Sequence, residues 1–292
     1  MNRKVIALIL GASLVVPSAN SAWFEKNTPL TQAHQHLLNN ELPSMFDSLV
    51  EVWQSQHTKS LDLHLNNLLL QSLNVDCGKG LSEQPFPDWI QSVTIRNIEI
   101  QSPGREAYQL IVDAVTDNQI RDISLTKWVN SSISQDSTFN QLSSDGVTND
   151  ALTYIKRYNL ASPLDIGLYR LIITKDDSDS WSTWVILSHS GNNNSVYWVA
   201  KDQWDVKRTA LQNPYCPLPK LNVSIYQYVD GKYKEKWHKS YESDYPSSLE
   251  SNILPPNRYV LAVSMNQQRW QGPIAVENSQ VISKTYDISN DE

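Results

Sequence analysis

The sequence predicts a mainly β protein with a small N-terminal α region: two β-sandwich-like domains following a short helical cap. Three observations carry this. Apolar residues recur at helical spacing only between Thr28 and Asn74. Beyond the linker at Pro85 to Pro87 the apolar period falls to two. Clusters of Pro, Gly, Asn and Asp then divide the rest into short runs. In order, residues 1–22 read as a signal peptide, 23–80 as the helical region, 81–190 as the first β domain and 191–292 as the second.

The leader has Arg3 and Lys4 before the apolar run Val5 to Val16, then Pro17 and the small residues Ser18, Ala19, Ser21 and Ala22. That is a basic end, an apolar core and a small-residue cleavage site, in a run too short for the roughly 20 residues of a membrane span. The expected mature chain starts near Ala22 or Trp23, works in the periplasm, and inserts in no membrane after cleavage.

Three helical pieces follow. Thr28 suits an N-cap with Pro29 in the first helical position, and Ala33, Leu37 and Leu38 share one face. Pro43 is expected to end that piece. Ser44 with Asp47 three residues on resembles a capping box, opening a stripe of Met45, Phe46, Leu49, Val52 and Trp53. Leu61, Leu65, Leu68, Leu69 and Leu73 form the third.

Strands are expected around Val93 to Ile100, Tyr108 to Val115, Ile120 to Trp128, Tyr154 to Tyr158, Gly167 to Thr174 and Trp181 to Ser188. Residues 130–150 are polar and Ser-rich and read as a loop. The second block carries strands at Tyr197 to Ala200, Leu221 to Val229, Tyr233 to Tyr241, Arg258 to Ser264 and Val281 to Ile288, with its prolines between them. Between Val229 and Lys232, a two-residue Asp230-Gly231 turn would place Val223 and Ile225 on one face with three lysines. A three-residue loop with Gly231 left-handed instead groups Val223 and Ile225 with Tyr233 and Trp237. It leaves Tyr226, Tyr228, Lys232, Lys234 and Lys236 on the other face, and is the preferred register.

Composition narrows the function. The formal charge is −7, and −9 once Arg3 and Lys4 are gone (22 basic against 31 acidic residues). A surface this acidic repels phosphate backbones, so nucleic acid is not an expected partner. Cys77 and Cys216 are the two cysteines. In an oxidising compartment they read most simply as one disulfide, two free thiols being the alternative.

The start Trp23-Phe24-Glu25-Lys26, the stretch Met45-Phe46-Asp47-Ser48-Leu49, and the motifs Gly167-Leu168-Tyr169-Arg170, Asn213-Pro214-Tyr215-Cys216-Pro217 and Arg269-Trp270-Gln271-Gly272-Pro273 resemble a family of uncharacterised secreted proteins of vibrio-type gamma-proteobacteria. That family is classed as a domain of unknown function. The resemblance implies a periplasmic address and a context of envelope-stress signalling or envelope maintenance. It supplies no catalytic residues.

Catalytic motifs are sparse. Ser124-Leu125-Thr126-Lys127 matches S-x-x-K, but it falls in a strand, where the motif needs a helix start, and has no companion motifs. His34 and His36 point to different faces and His57 and His64 lie on separate pieces, so no metal is expected. Asp176, Asp177 and Asp179 read as a solvated turn. No cofactor is implied. Ten Trp and thirteen Tyr against four Phe suit contact surfaces. Trp181 and Trp184 should face opposite sides of one strand, with at least one of them buried.

The expected function is therefore non-catalytic binding in the envelope, with Tyr226, Tyr228, Lys232, Lys234 and Lys236 as the contact patch for an envelope protein or glycan. Carbohydrate binding to cell-wall or exported polysaccharide is the first alternative, and an unrecognised hydrolase the second.

Overall fold

The computed structural model describes residues 27–55, 58–142, 151–177, 179–188, 194–208, 213–249 and 254–288; the expected leader, 1–22, lies outside them. Three helices, α1 (Pro29–Leu38), α2 (Leu42–Ser55) and α3 (Asp62–Asp76), precede all of the strands. Thr28 caps α1 as expected, and the box is closed by Thr31, whose hydroxyl takes a bond from the Thr28 N–H at 2.9 Å. Helix α2 begins before Ser44. Pro43 lies in its first turn, where a missing N–H costs nothing, so this proline starts a helix and does not end one. The buried stripes of α2 and α3 (Met45, Leu49, Val52, Trp53, Leu65, Leu69) close on one another.

The strands are β1 (Ile90–Ser102), β2 (Arg105–Thr116), β3 (Ile120–Lys127), β4 (Ser131–Ser132), β5 (Ser137–Leu142), β6 (Leu152–Leu160), β7 (Gly167–Lys175) and β8 (Ser180–Leu187). They continue with β9 (Asn194–Ala200), β10 (Gln203–Arg208), β11 (Lys220–Val229), β12 (Lys232–Tyr241), β13 (Asn257–Gln271) and β14 (Ile274–Ile288). The protein is thus mainly β, with two sandwich-like β units behind a helical region. Strands β4 and β5 correct the reading of 130–150 as loop at 131–132 and 137–142; residues 143–150 lie outside the described residues. An edge strand held by backbone pairing to β6 needs no apolar alternation, and β5 is exposed at nearly every position. Strand β10, also unforeseen, pairs with β9 and buries Trp204.

Four layers result. An eight-stranded sheet, in the order β12-β11-β13-β14-β1-β2-β6-β5, runs through both units. The four-stranded sheet β4-β3-β7-β8 covers one part of it, and the β9–β10 hairpin covers another. Tyr169, Leu171, Ile173, Trp181, Val185 and Leu187 face the first β core. Leu168 and Ile186, on the alternate face of the same strands, belong to the helical core, and Trp184 packs against it. Helices α1 to α3 therefore form the outer layer on the four-stranded sheet, and Trp181 and Trp184 do point opposite ways.

The units are not separate along the chain. Strands β13 and β14 form a hairpin of two 15-residue strands. Its Ile274 and Val276 complete the first core while its Leu261, Val263 and Ile282 line the other, so the 190/191 division does not separate the cores. Strand β14 pairs with β1 in parallel, from Thr94 with Ala275 to Gln101 with Ile282.

At the turn of that hairpin Gln271, 3 % exposed, acts as a stand-in strand. Its Oε1 accepts from the Ile186 N–H at 2.9 Å and its Nε2 donates to the Ile186 carbonyl at 2.5 Å, closing the free edge of β8. The buried Arg269 donates to the same carbonyl at 3.2 Å, and burial pulls its guanidinium down to about 10. Replacing Gln271 by Ala leaves a buried N–H without its acceptor, which costs about 1–3 kcal/mol. The expected result for Gln271→Ala is a loss of about 2 kcal/mol in urea unfolding; an unmoved midpoint would show that this amide is not holding the edge.

Candidate functional site

The expected patch sits on the β11–β12 hairpin, and its register differs from the expected one. Asp230 (φ 54°) and Gly231 (φ 79°) form the two-residue turn, with Val229 opposite Lys232 and Tyr228 opposite Tyr233. A bulge between Ile225 and Tyr226, with Lys236 as the extra residue, then shifts the ladder so that Ile225 meets Trp237. The favoured turn and the favoured burial are both kept, at the cost of one irregular residue. The three-residue loop is thereby corrected.

The consequence for the patch is direct. By strand alternation Tyr226 and Tyr228 share a face with Tyr233 and Glu235, while Lys232 and Lys234 belong to the opposite face beyond the end of the core. The five residues converge on one hairpin end but not on one face. Tyr233, expected on the core side, is 64 % exposed beside Tyr228 at 62 %, ring centres 5.0 Å apart. Tyr226 is half-buried, and that burial raises its phenol above the usual value. Among the described residues Lys232, Lys234 and Lys236 have no carboxylate within ion-pair reach, whereas Glu235 lies 3.6 Å from His238. Strand β12 is a free edge of the eight-stranded sheet, so this basic segment stands at the margin of an acidic molecule.

Two grooves accompany it. One of about 260 Å³, between α2 and β7–β8, is lined by Asp47, Gln84, Arg170, Ser182 and Trp184. The Arg170 guanidinium lies 5.7 Å from the Trp184 ring centre, and burial raises the Asp47 carboxyl. The other, about 300 Å³, holds Lys127, Ser131, Ser132 and Asp165. Each contains one acidic side chain, against the two carboxylates of glycoside hydrolysis. Lys127 stands opposite Ser131 in the ladder, and its ammonium donates to Asp165 at 2.7 Å. Ser124 and Lys127, three apart in β3, point to opposite faces. Trp128 and Trp184 meet edge to face at 84°, and so make no coplanar sugar platform. The aspartate loop is tied by Lys175, 2.9 Å from Asp177. No group of three or more His, Cys, Asp or Glu placed to hold a metal occurs among the described residues.

Cys77 and Cys216 are bonded, with Cα atoms 5.0 Å apart. Cys77 closes α3 in the left-handed conformation, and its carbonyl accepts from the Trp270 N–H at 2.9 Å. The Gly78 carbonyl accepts from the Gly272 N–H at 3.0 Å. Helix end, β13–β14 turn and the 213–216 loop therefore meet at one point.

These features define a β-rich molecule with a helical layer and an exposed aromatic and basic hairpin end. Residues 23–287 match the family described as "Protein of unknown function (DUF2861)", and the chain belongs to that family. No curated protein matches it. Among solved structures, a chain titled "Tandem Ig repeats of Dlar" is similar at 13 % identity and a TM-score of 0.28, over 66 % of this chain and 99 % of that one.

Proposed function

We propose that this is a non-catalytic, periplasmic binding protein that meets an acidic protein partner through the end of the β11–β12 hairpin, in an accessory role in envelope signalling or maintenance. The observation that carries the reading is the pairing of two exposed tyrosines with three lysines that lack carboxylate partners among the described residues, on a chain of net charge −7. Tyrosines supply contact area at little entropic cost, and the basic end of an acidic molecule steers an acidic surface into register. Lysines along an edge discourage strand addition, so contact runs through side chains. The leader and the disulfide both suit an oxidising compartment outside the cytosol. A protein partner is favoured over a glycan because the rings at the hairpin end, tilted by 55°, form no flat platform.

The test is affinity capture from periplasmic extract with quantitative mass spectrometry, using wild type, K232E/K234E/K236E and Y228A/Y233A. Both variants should recover the captured species at least about tenfold less, and the wild-type interaction should weaken with salt. Equal recovery by all three would remove the hairpin from the mechanism. Fluorescence quenching by peptidoglycan fragments at unchanged protein capture would favour the glycan reading instead.

A further inference from the structure

We propose that His34 and His64 form a binding site for a divalent transition-metal ion, zinc(II) or copper(II), that ties α1 to α3. The inference is independent of the hairpin reading and rests on a juxtaposition thirty residues apart in sequence. The two Nε2 atoms face each other at 3.0 Å, with ring centres 5.1 Å apart and planes inclined by 40°. Two imidazole nitrogens bound to one ion at about 2.0–2.1 Å stand about 2.8–2.9 Å apart at a right angle and about 3.3 Å apart at the tetrahedral angle. The observed spacing lies between these limits, so an ion fits with little ring movement.

Each ring is held in place by its helix. His34 follows Ala33, which is fully buried, in a helix fixed at its start by the Thr28–Thr31 box. His64 precedes Leu65, 1 % exposed in the same helical core. Side chains anchored on packed helices meet an ion with less ordering cost than side chains on loops. The rings also suit an ion electronically. Facing Nε2 atoms at this spacing leave room between them for one proton or one ion, not for two protons. With hydrogen on both Nδ1 atoms, the two Nε2 lone pairs face the space between the rings, and a tilt of each ring aims them at one shared ion. His36 is not part of the site, because its Nδ1 is bound to Glu41 at 2.5 Å.

Imidazole pairs select zinc, copper and nickel over calcium and magnesium, which want oxygen. Two protein ligands leave the other positions to water or to a group from another molecule, and His64 is exposed, so the ion exchanges freely. Occupancy joins the first helix of the cap to the third.

Isothermal titration of the mature, oxidised protein with copper(II) and with zinc(II) tests this, alongside copper(II) electron paramagnetic resonance. Wild type should bind one ion, and its spectrum should show hyperfine structure from two imidazole nitrogens. H34Q and H64Q should each weaken binding at least about tenfold, and H36Q should leave it unchanged. Zinc at about one hundred times its Kd should raise the Tm of wild type by about 4 °C and leave the H34Q/H64Q protein unmoved. Both positions lie on the helix surface, so urea unfolding without metal checks that the variants fold. The proposal fails if the double variant binds with wild-type stoichiometry and affinity, or if wild type shows no saturable binding up to millimolar metal. It also fails if the spectrum lacks imidazole nitrogens, a result that needs no variant.

Discussion

Replacing Gly78 by Ala should destabilise the protein by about 3–5 kcal/mol, among the largest effects available from a single methyl group. Gly78 holds φ +86°, where an L side chain is strained, and a Cβ there would stand 2.1 Å from the Trp270 carbonyl oxygen and 2.8 Å from Leu73 Cδ2. Backbone, unlike a flexible side chain, cannot step aside. Relief of the overlap requires the β13–β14 turn to move away from the end of α3. That breaks the bonds from the Trp270 and Gly272 N–H groups to the Cys77 and Gly78 carbonyls, and pulls Gln271 from the edge of β8. Gly104→Ala is the control. Its φ is +71° with nothing within 4 Å, so it should lose only about 1 kcal/mol, the conformational part alone. Urea unfolding of both variants checks this, and equal losses would mean that the close approach at Gly78 contributes nothing.

The second large effect belongs to the disulfide. Cys77 and Cys216 close a segment with a sequence separation of 139, for which the chain-entropy account gives about 5 kcal/mol and experience with native disulfides about 2–4. Cys77→Ser with Cys216→Ser should therefore cost about 3–4 kcal/mol. Reduction of the wild type should shift its unfolding midpoint to that of the double variant, and the double variant should ignore reductant. Cys77 is fully buried, so reduction of the folded protein should be slow unless denaturant is present. Coincident midpoints for oxidised wild type and double variant would show that the bond is not a staple. The non-covalent contacts at this corner are those that Gly78→Ala disrupts, so the two changes combined should lose less than the sum of their separate costs.

How much of this was legible in the sequence follows from the range of the interactions. Thr28, Pro29 and the α2 and α3 stripes act within a few residues of themselves, and they were readable. Pro43 was misplaced because one proline can stop one helix or start the next, and only the packing of α2 decides which. In the β11–β12 hairpin, turn chemistry and burial demanded different registers. The chain satisfies both with a bulge at Lys236, which no spacing rule announces. The two-residue turn puts Tyr233 on the tyrosine face and Lys232 and Lys234 on the other, so the five residues named from the sequence share a hairpin end and not a face. Strand β5 shows no alternation because every residue in it except Phe139 is exposed. His34 and His64 were invisible as a pair for a different reason: nothing local reports which helix face meets which. Only the packed layer brings them to 3.0 Å.

Strand β14 has a further consequence, in the order of synthesis. The first β core needs Ile274 and Val276, near the end of the chain, and until β14 arrives strand β1 keeps a naked flank. A ribosome delivers this polypeptide front end first, so more than 170 residues must emerge after Gln101 before its partner Ile282 exists. The amino-terminal half therefore waits half-finished, with pairing groups exposed, and closes only when the last hairpin folds back. Shortened products that stop before Ile274 should accordingly be caught by chaperones and proteases rather than accumulate as a stable fragment.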